Sequence, residues 1–301
     1  MLKAVITCLQ DMKAELVREL EVNHVSVRMV EARGDESSSL WCGRVLDCLR
    51  EMGIQTKECI LIASDRERLQ AAAGLGLKCI GYIDSDVLCT DGLLGCCEYV
   101  VESWEGIDFA YINRVFCRLD GVPLVIAETE RLIIREMVAK DVPHLCEICR
   151  QESVRAFLHD IGDDLQAEAE KHSAYIEQAY RFYDYGYWGV YDRQTDELIG
   201  RCGIQDNVID GNAEVELGYL ITEERRDRGY AKEAVIAVLT YAFRTLDIPR
   251  VVAVIDKANT ASLRVAEQCG MLWEKDIIRR ADRRPGEIAC SVYAISSHSC
   301  N

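Results

Sequence analysis

Short apolar runs with the length of β-strands alternate with amphipathic, helix-like stretches over the first 120 or so residues of the chain. The apolar runs lie at residues 4–8, 25–30, 59–63, 79–83 and 99–101. The helix-like stretches between them lie at residues 12–20, 40–52, 66–74 and 106–118. This βα alternation predicts a Rossmann-like α/β domain, in which helices cover both faces of a parallel sheet.

The pattern changes after Asp120-Gly121, which supplies a turn signal without a Gly/Ser-rich linker. Strand-like runs then fall at residues 129–135, 187–191, 197–204, 214–221 and 251–254, and helix-like runs fall at residues 138–154, 164–185 and 232–246. A chain of 301 residues is long enough to bury two cores. We therefore expect one domain at residues 1–121 and a second at residues 122–301.

A basic turn joins the strand-like run that ends at Ile221 to the helix-like run that begins at Lys232. It reads Arg226-Asp227-Arg228-Gly229-Tyr230-Ala231 and follows Arg225. The start of a helix presents free backbone N–H groups and the positive end of the helix dipole, which suits phosphate. Gly229 lets the backbone approach a ligand because it has no Cβ. The turn therefore predicts a phosphate site on an otherwise acidic protein.

The pattern Arg226-x-x-Gly229-x-Ala231 resembles the pyrophosphate loop of the GNAT superfamily, the N-acetyltransferases that use acetyl-CoA. Residues 129–135 resemble the opening strand of the branch that acetylates the N-termini of ribosomal proteins. The remaining matching segments follow in the family's order at residues 187–191, 197–204, 214–219, 251–254, 259–262 and 269–271. The resemblance covers roughly residues 129–295 and implies a GNAT-type α+β domain with a mixed sheet.

The resemblance implies acetyl-CoA as co-substrate and assigns residues to it. In the family, the open edge of the strand before the loop pairs with the pantetheine arm, and that strand ends here at Leu220 and Ile221. The residues expected to hold the pyrophosphate are Arg226, Arg228, Gly229, Tyr230 and Ala231. Asn259 is expected to hydrogen-bond the pantetheine or the facing strand end, and Ser262 is expected to cap the next helix.

Glu216 is the candidate general base, because it matches an acid that related enzymes use directly or through a water. Strand alternation places Glu214, Glu216 and Gly218 on one face. The alternative is an ordinary carboxylate at the sheet surface. The ammonium of an amine acceptor has a pKa near ~10, so a base is useful at neutral pH.

The general acid is less defined by the sequence. Many relatives place a Tyr four residues after the Ser of the Asn-x-x-Ser turn, and this chain has Ala266 there. Ser262, Cys269 or solvent remain as candidates to protonate the leaving thiolate. In the family the first helix pair forms part of the acceptor pocket, so Phe157, Leu158, His159 and Asp160, which lie in its connection, are candidates for acceptor contacts.

Residues 53–82 and the strand-like Lys3-Ala4-Val5-Ile6 resemble the haloacid dehalogenase superfamily. That family places an Asp-x-Asp pair after this strand, to attack phosphate and hold magnesium, whereas this chain has Cys8-Leu9-Gln10. Asp65 remains from the acidic loop, but magnesium requires several hard oxygen ligands. We therefore expect an inactive, cap-less pseudoenzyme domain that serves as a scaffold, a dimerisation surface in a possible homodimer, or a small-ligand sensor.

The composition indicates which classes of partner the chain favours and in which cellular compartment it is expected. A formal charge of −16 disfavours nucleic-acid binding and mildly favours capture of cationic amines. Fifteen scattered Cys are typical of free thiols in the cytoplasm. Cys146-x-x-Cys149 lies in a helix-like segment without a second pair, so we expect no metal site there or elsewhere. No apolar run suggests a signal peptide or a membrane helix.

These observations favour an enzyme that transfers acetyl from acetyl-CoA to a primary amine, in a ternary complex, on a protein N-terminus or a small molecule. The alternative is a regulatory protein that senses acyl-CoA or a ligand of its pseudo-phosphatase domain. A bifunctional phosphatase–acetyltransferase is disfavoured by Cys8 and Gln10, and a nucleic-acid-binding protein by the charge.

Overall fold

The computed structural model of the chain describes residues 1–33, 36–83, 95–158, 164–280 and 286–297. The chain divides into two compact units, Met1–Val122 and Pro123–Asn301. Within the described residues, no helix combines the length and the apolar composition that crossing a membrane requires.

The N-terminal unit contains a five-stranded sheet in which every neighbouring pair of strands is parallel. The strands are β1 (Ala4–Thr7), β2 (Ser26–Met29), β3 (Cys59–Ala63), β4 (Lys78–Tyr82) and β5 (Tyr99–Val101). They lie in the order β2-β1-β3-β4-β5. The parallel sheet predicted from the sequence is confirmed, and β3 and β5 have the predicted bounds.

Helices cover both faces of this sheet, as the alternation predicted. They are α1 (Ala14–Val22), α2 (Ser38–Glu51), α3 (Arg66–Gly74) and α4 (Phe109–Leu119). Leu20 of α1 and Phe116 of α4 share one core with Val5. Trp41 of α2 and Leu69 of α3 share another. Successive residues of β1 point to opposite faces, so each core receives apolar side chains from the same strand.

The C-terminal unit contains an eight-stranded mixed sheet in the order β12-β13-β11-β10-β9-β8-β7-β6. Its strands are β6 (Val125–Glu128), β7 (Leu132–Arg135), β8 (Tyr187–Asp192), β9 (Leu198–Ile209), β10 (Asn212–Ile221), β11 (Arg250–Asp256), β12 (Leu272–Arg280) and β13 (Glu287–Ser296). The β10–β11 pair is parallel and the other neighbours are antiparallel. The mixed sheet implied by the family resemblance is confirmed.

Five helices are described in this unit: α5 (Val142–Arg150), α6 (Glu152–Arg155), α7 (Leu165–Tyr183), α8 (Tyr230–Arg244) and α9 (Thr260–Gln268). Two sequence predictions need correction here. The single helix expected at 138–154 is interrupted, because Gln151 has an extended ψ of 134° between α5 and α6. The strand expected at 129–135 begins only at Leu132, as β7, because residues 129–131 form the turn that joins it to β6.

Helix α8 provides much of the C-terminal core. Its buried residues Val235, Val238 and Leu239 pack in one cluster with Trp188 of β8 and Val251 of β11. Burying an aliphatic side chain of this size contributes roughly 1.5–3 kcal/mol. This packing fixes α8 against the sheet, so the N-terminus of the helix is held next to the end of β10.

Candidate active site

The strands β10 and β11 separate within the sheet and leave a cavity between them. Within the described residues, Glu216 of β10 pairs in register with Val252 of β11. Beyond that pair, residues 217–221 of β10 and residues 253–256 of β11 line opposite sides of a cavity of about 600 Å³. The other edge of β10 is occupied, because β9 pairs with it along its full length. The backbone edge of β10 that faces the cavity is therefore open to an extended ligand.

The N-terminus of α8 borders the same cavity. Gly229 is the N-cap of this helix, with a φ of +81°, and the cap contributes no side-chain hydrogen bond. Gly229, Tyr230, Ala231 and Lys232 all line the cavity. The first turn of a helix has N–H groups without intrahelical partners, and these groups favour an anion. A φ of this sign suits glycine, which explains why the sequence has Gly229 here.

The basic residues near this turn have different roles. Arg226 lines the cavity, and its Nε donates to the carbonyl oxygen of Ile221 at 3.2 Å. Arg225 also lines the cavity, but its guanidinium is paired with Asp192 at 3.1 Å and with Glu197 at 3.2 Å. Arg228 is exposed and is not among the described residues that line the cavity. Of the expected phosphate-binding arginines, the structure therefore brings Arg226 to the cavity.

Two further cations line the cavity, Lys232 of α8 and Arg264 of α9. Neither was predicted from the sequence as a site residue. A cation in the first turn of a helix is unfavourable with respect to the helix dipole. The position of Lys232 in the sequence therefore already indicated an anion near this turn.

Glu216 is buried, with 8% of its surface exposed, and it lines the cavity. The carboxylate is therefore not exposed to solvent on the face of the sheet. The guanidinium of Arg279 donates to both carboxylate oxygens at 3.1 Å, and the amide of Asn207 donates to Oε2. Buried carboxylates require such partners, because an unpaired charge is costly away from water. These contacts fix the orientation of Glu216.

Asn259 and Ser262 lie at the start of α9 and both line the cavity. Asn259 is the N-cap, and its Oδ1 accepts the backbone N–H of Ser262 at 3.1 Å. The expectation that Ser262 caps this helix is therefore wrong, since Ser262 lies within its first turn. The carbonyl oxygen of Ser262 accepts a hydrogen bond from the Tyr219 hydroxyl at 3.1 Å. This bond links β10 to α9.

The structure separates the candidates for the general acid. Ala266 is buried in the core and offers no proton. The Cys269 thiol points to the carbonyl oxygen of Lys232 at 3.9 Å, and burial raises its pKa to about 11. Cys269 is not among the described residues that line the cavity, whereas Ser262 is. Ser262 and solvent therefore remain as the candidates for the general acid.

The cavity is also lined by Ser153, Phe157 and Leu158, which come from α6 and the segment after it, and by Tyr187 of β8. His159 and Asp160, which the sequence analysis grouped with these residues, lie outside the described residues. A Cβ at Gly218 would lie 2.5 Å from the Tyr187 hydroxyl, so the absence of a side chain at Gly218 makes room for that ring. Together these side chains form part of the wall of the cavity.

The candidate base, the strand end at Leu220 and Ile221, the Asn259–Ser262 turn and the expected loop residues other than Arg228 thus line one cavity. Residues 131–272 match the family model described as an Acetyltransferase (GNAT) domain. The C-terminal half of this chain contains a GNAT acetyltransferase domain. Enzymes with a GNAT domain use acetyl-CoA as their co-substrate, so the cofactor expected from the loop is confirmed.

The chain is similar to several known proteins. The uncharacterized protein YkkB of Bacillus subtilis is 38% identical over 95 residues, which are 32% of this chain and about half (55%) of YkkB. The uncharacterized N-acetyltransferase p20 of Bacillus licheniformis is 28% identical over 175 residues, 56% of this chain and 93% of p20. A crystal structure of a GNAT-family acetyltransferase from Bacillus anthracis superposes with a TM-score of 0.50 at 22% identity, covering 57% of this chain and 98% of that one. This likeness supports the fold.

Proposed function

We propose that this protein transfers the acetyl group of acetyl-CoA to a primary amine, by direct attack while both substrates are bound. The observation that carries the proposal is that one cavity joins the N-terminus of α8 to the carboxylate of Glu216. The first feature suits the pyrophosphate of acetyl-CoA, and the second suits the proton of an ammonium. An enzyme that holds both reactants in one cavity gains from their proximity.

The donor half of the site follows from backbone geometry. The pyrophosphate would accept hydrogen bonds from the first turn of α8, supported by Arg226 and Lys232. The pantetheine arm would pair with the open edge of β10 at Leu220 and Ile221, opposite Asn259. This arrangement would direct the thioester along β10, towards Glu216 at the base of the cavity.

The chemical step would proceed as follows. The amine nitrogen forms a bond to the thioester carbonyl carbon, and the C–S bond breaks. The proton that the ammonium loses passes to Glu216, directly or through one water. After the attack the nitrogen loses its second proton, and this proton reaches the CoA thiolate through the Ser262 hydroxyl or through solvent. Arg279 and Asn207 would hold the Glu216 carboxylate in the orientation that receives the proton.

The acceptor would be a small amine or a protein N-terminus. It would lie against the part of the cavity wall that α6, the segment after it and Tyr187 supply, and these contribute apolar and hydroxyl groups. The net charge of −16 favours approach of a cationic acceptor. Screening short peptides alongside small amines separates the two classes.

For the N-terminal unit we infer a haloacid dehalogenase-like scaffold without phosphatase chemistry. Cys8 follows β1 where that family has its nucleophilic Asp, and burial raises the pKa of the Cys8 thiol, which opposes nucleophilic attack. Asp65 caps α3, where its Oδ1 accepts the backbone N–H of Arg68 at 2.8 Å. Magnesium-dependent release of phosphate from a phosphate ester by the whole chain would contradict this inference.

Replacing Glu216 tests its role in the proposed reaction. The variant Glu216→Gln should lower kcat about 100-fold or more, the usual contribution of a general base, while the KM for acetyl-CoA stays within about twofold. Glu214→Gln is the matched control. Glu214 lies two residues earlier on the same face of β10, and its carboxylate pairs with Arg250 at 3.1 Å. Wild-type turnover by Glu216→Gln, or equal losses in both variants, would exclude Glu216 as the base.

A further inference from the structure

Arg131 lies in the turn between β6 and β7 and reaches the loop before α8. Its Nη1 donates to the carbonyl oxygen of Arg228 at 2.9 Å. Its Nε donates to Glu233 of α8 at 2.7 Å, and its guanidinium lies 4.4 Å from the centre of the Tyr230 ring. The sequence resemblance at residues 129–135 concerned the opening strand alone. The structure connects this segment to the candidate pyrophosphate loop.

The contact with Arg228 acts on the peptide bond that precedes Gly229. A trans peptide is planar, and its C=O and N–H point in opposite directions. A donor that holds the Arg228 carbonyl on one side therefore directs the Gly229 N–H to the other side. Gly229 lines the cavity, whereas Arg131 is not among the described residues that do. Arg131 thus controls the orientation of one of the amides at the anion site.

Glu233 holds Arg131 in place. Its carboxylate accepts hydrogen bonds from the Thr129 hydroxyl at 2.6 Å and from the backbone N–H of Arg131 at 3.1 Å, in addition to the guanidinium. Burial opposes ionisation of this carboxyl group, but the bonds from Thr129 and Arg131 outweigh burial and keep the pKa of Glu233 below its usual value. The guanidinium is therefore anchored by an ionised partner at neutral pH.

We propose that Arg131 is a positioning residue for acetyl-CoA, which sets the loop at residues 226–229 in the conformation that binds pyrophosphate by holding the carbonyl oxygen of Arg228. The inference rests on the proposed function, since it assigns the pyrophosphate to this loop. Arg131 acts through the backbone and does not itself touch the ligand.

Two acetyl donors separate this role from a purely structural one. Arg131→Gln should raise the KM for acetyl-CoA about tenfold, the effect of one lost hydrogen bond to a charged donor, with kcat nearly unchanged. S-acetylpantetheine has no pyrophosphate, so its kcat/KM should stay within about twofold of the wild-type value. Arg131→Lys should recover part of the loss, because a single ammonium reaches one of the two oxygen partners.

Arg193→Gln is the matched control. Arg193 also holds this turn, because its Nη1 donates to the carbonyl oxygen of Thr129 at 2.7 Å, but its side chain pairs with Thr129 and Glu128, which are not in the loop. This variant should keep the wild-type KM for acetyl-CoA. Thermal unfolding of each variant checks that the fold persists.

Equal losses with both donors, or a lower melting temperature with an unchanged KM for acetyl-CoA, would overturn the role of Arg131. Failure of the wild-type chain to acetylate any amine would instead count against the proposed function. The same variants would then be compared by calorimetric titration with CoA and with pantetheine. A selective loss of affinity for CoA in Arg131→Gln would still support the positioning role, and an equal or absent loss would reject it.

Discussion

Glu216 and Val252 form the register pair that joins β10 to β11, at the point from which the two strands separate around the cavity. The candidate base therefore lies where the sheet opens. Its carboxylate is buried and held by Arg279 and Asn207, so its position is fixed by the sheet itself. The separation of the two strands also exposes the backbone edge of β10. The candidate base and the proposed site of the acetyl donor therefore lie along the same strand.

The conformation of Gly229 should be required for CoA binding. Gly229→Ala places a Cβ at a φ of +81° and should cost about 1 kcal/mol of stability, with a shift of the loop that weakens CoA binding about tenfold. Gly211→Ala is the control, since Gly211 has a φ of +80° in the β9–β10 turn, and a Cβ there meets nothing within 4 Å. Chemical denaturation and calorimetry on both variants measure the two effects. Equal CoA affinity in the two variants would argue against the loop as the anion site.

Lys232 should have opposite effects on stability and on binding. A cation in the first turn of α8 opposes the helix dipole, so Lys232→Gln should stabilise the free protein by about 0.3–1 kcal/mol. The same change should weaken acetyl-CoA binding about tenfold, because a charged phosphate partner is lost. Arg244 lies in the last turn of the same helix, where a cation is favourable, so Arg244→Gln should destabilise slightly and leave affinity unchanged. Unchanged affinity in Lys232→Gln would remove it from the site.

His172 of α7 should make the stability of the C-terminal unit depend on pH. Burial lowers its pKa to about 4, aided by Arg201 and Lys171 and opposed by Glu168. The unfolded chain binds this proton near pH 6.5 and the folded chain near pH 4, so stability falls as pH drops through that window. The loss between pH 7.5 and pH 5 should be about 2 kcal/mol.

Removing this imidazole should flatten that dependence. His172→Gln should lose about 2 kcal/mol less than the wild type between pH 7.5 and pH 5. Urea denaturation at the two pH values measures the difference. Parallel pH profiles for wild type and variant would show that the buried imidazole does not govern this window.

Much of the fold could be predicted because local patterns agreed with the final structure. The alternation at residues 4–101 predicted the parallel sheet, and β3 and β5 were predicted to the residue. The helix break at Gln151 could not be predicted, because the side chain of Gln151 holds it in place. Its amide Nε2 donates to the Thr222 hydroxyl at 2.9 Å, and its Oε1 accepts the backbone N–H of Glu223 at 2.8 Å. Those partners lie about seventy residues away in the sequence.

The site residues could be predicted where a sequence motif sets the backbone conformation. They could be predicted less well where contacts between distant segments determine their position. The Gly229 turn and the alternation of β10 place most of the predicted residues at one cavity. Arg279, which holds Glu216, comes from a strand more than sixty residues later, and nothing near Glu216 in the sequence indicates it. Ser262 was expected to cap α9, but Asn259 does so, because the motif does not reveal at which residue the helix begins.

The most direct test of the account is the release of thiol from acetyl-CoA by the whole chain, with and without a pool of small amines and short peptides with free N-termini. We predict release that depends on an amine, that falls in Glu216→Gln, and that persists in Glu214→Gln. Absence of amine-dependent release across the pool, together with no calorimetric binding of acetyl-CoA, would contradict the claim that this cavity binds acetyl-CoA and delivers its acetyl group to an amine.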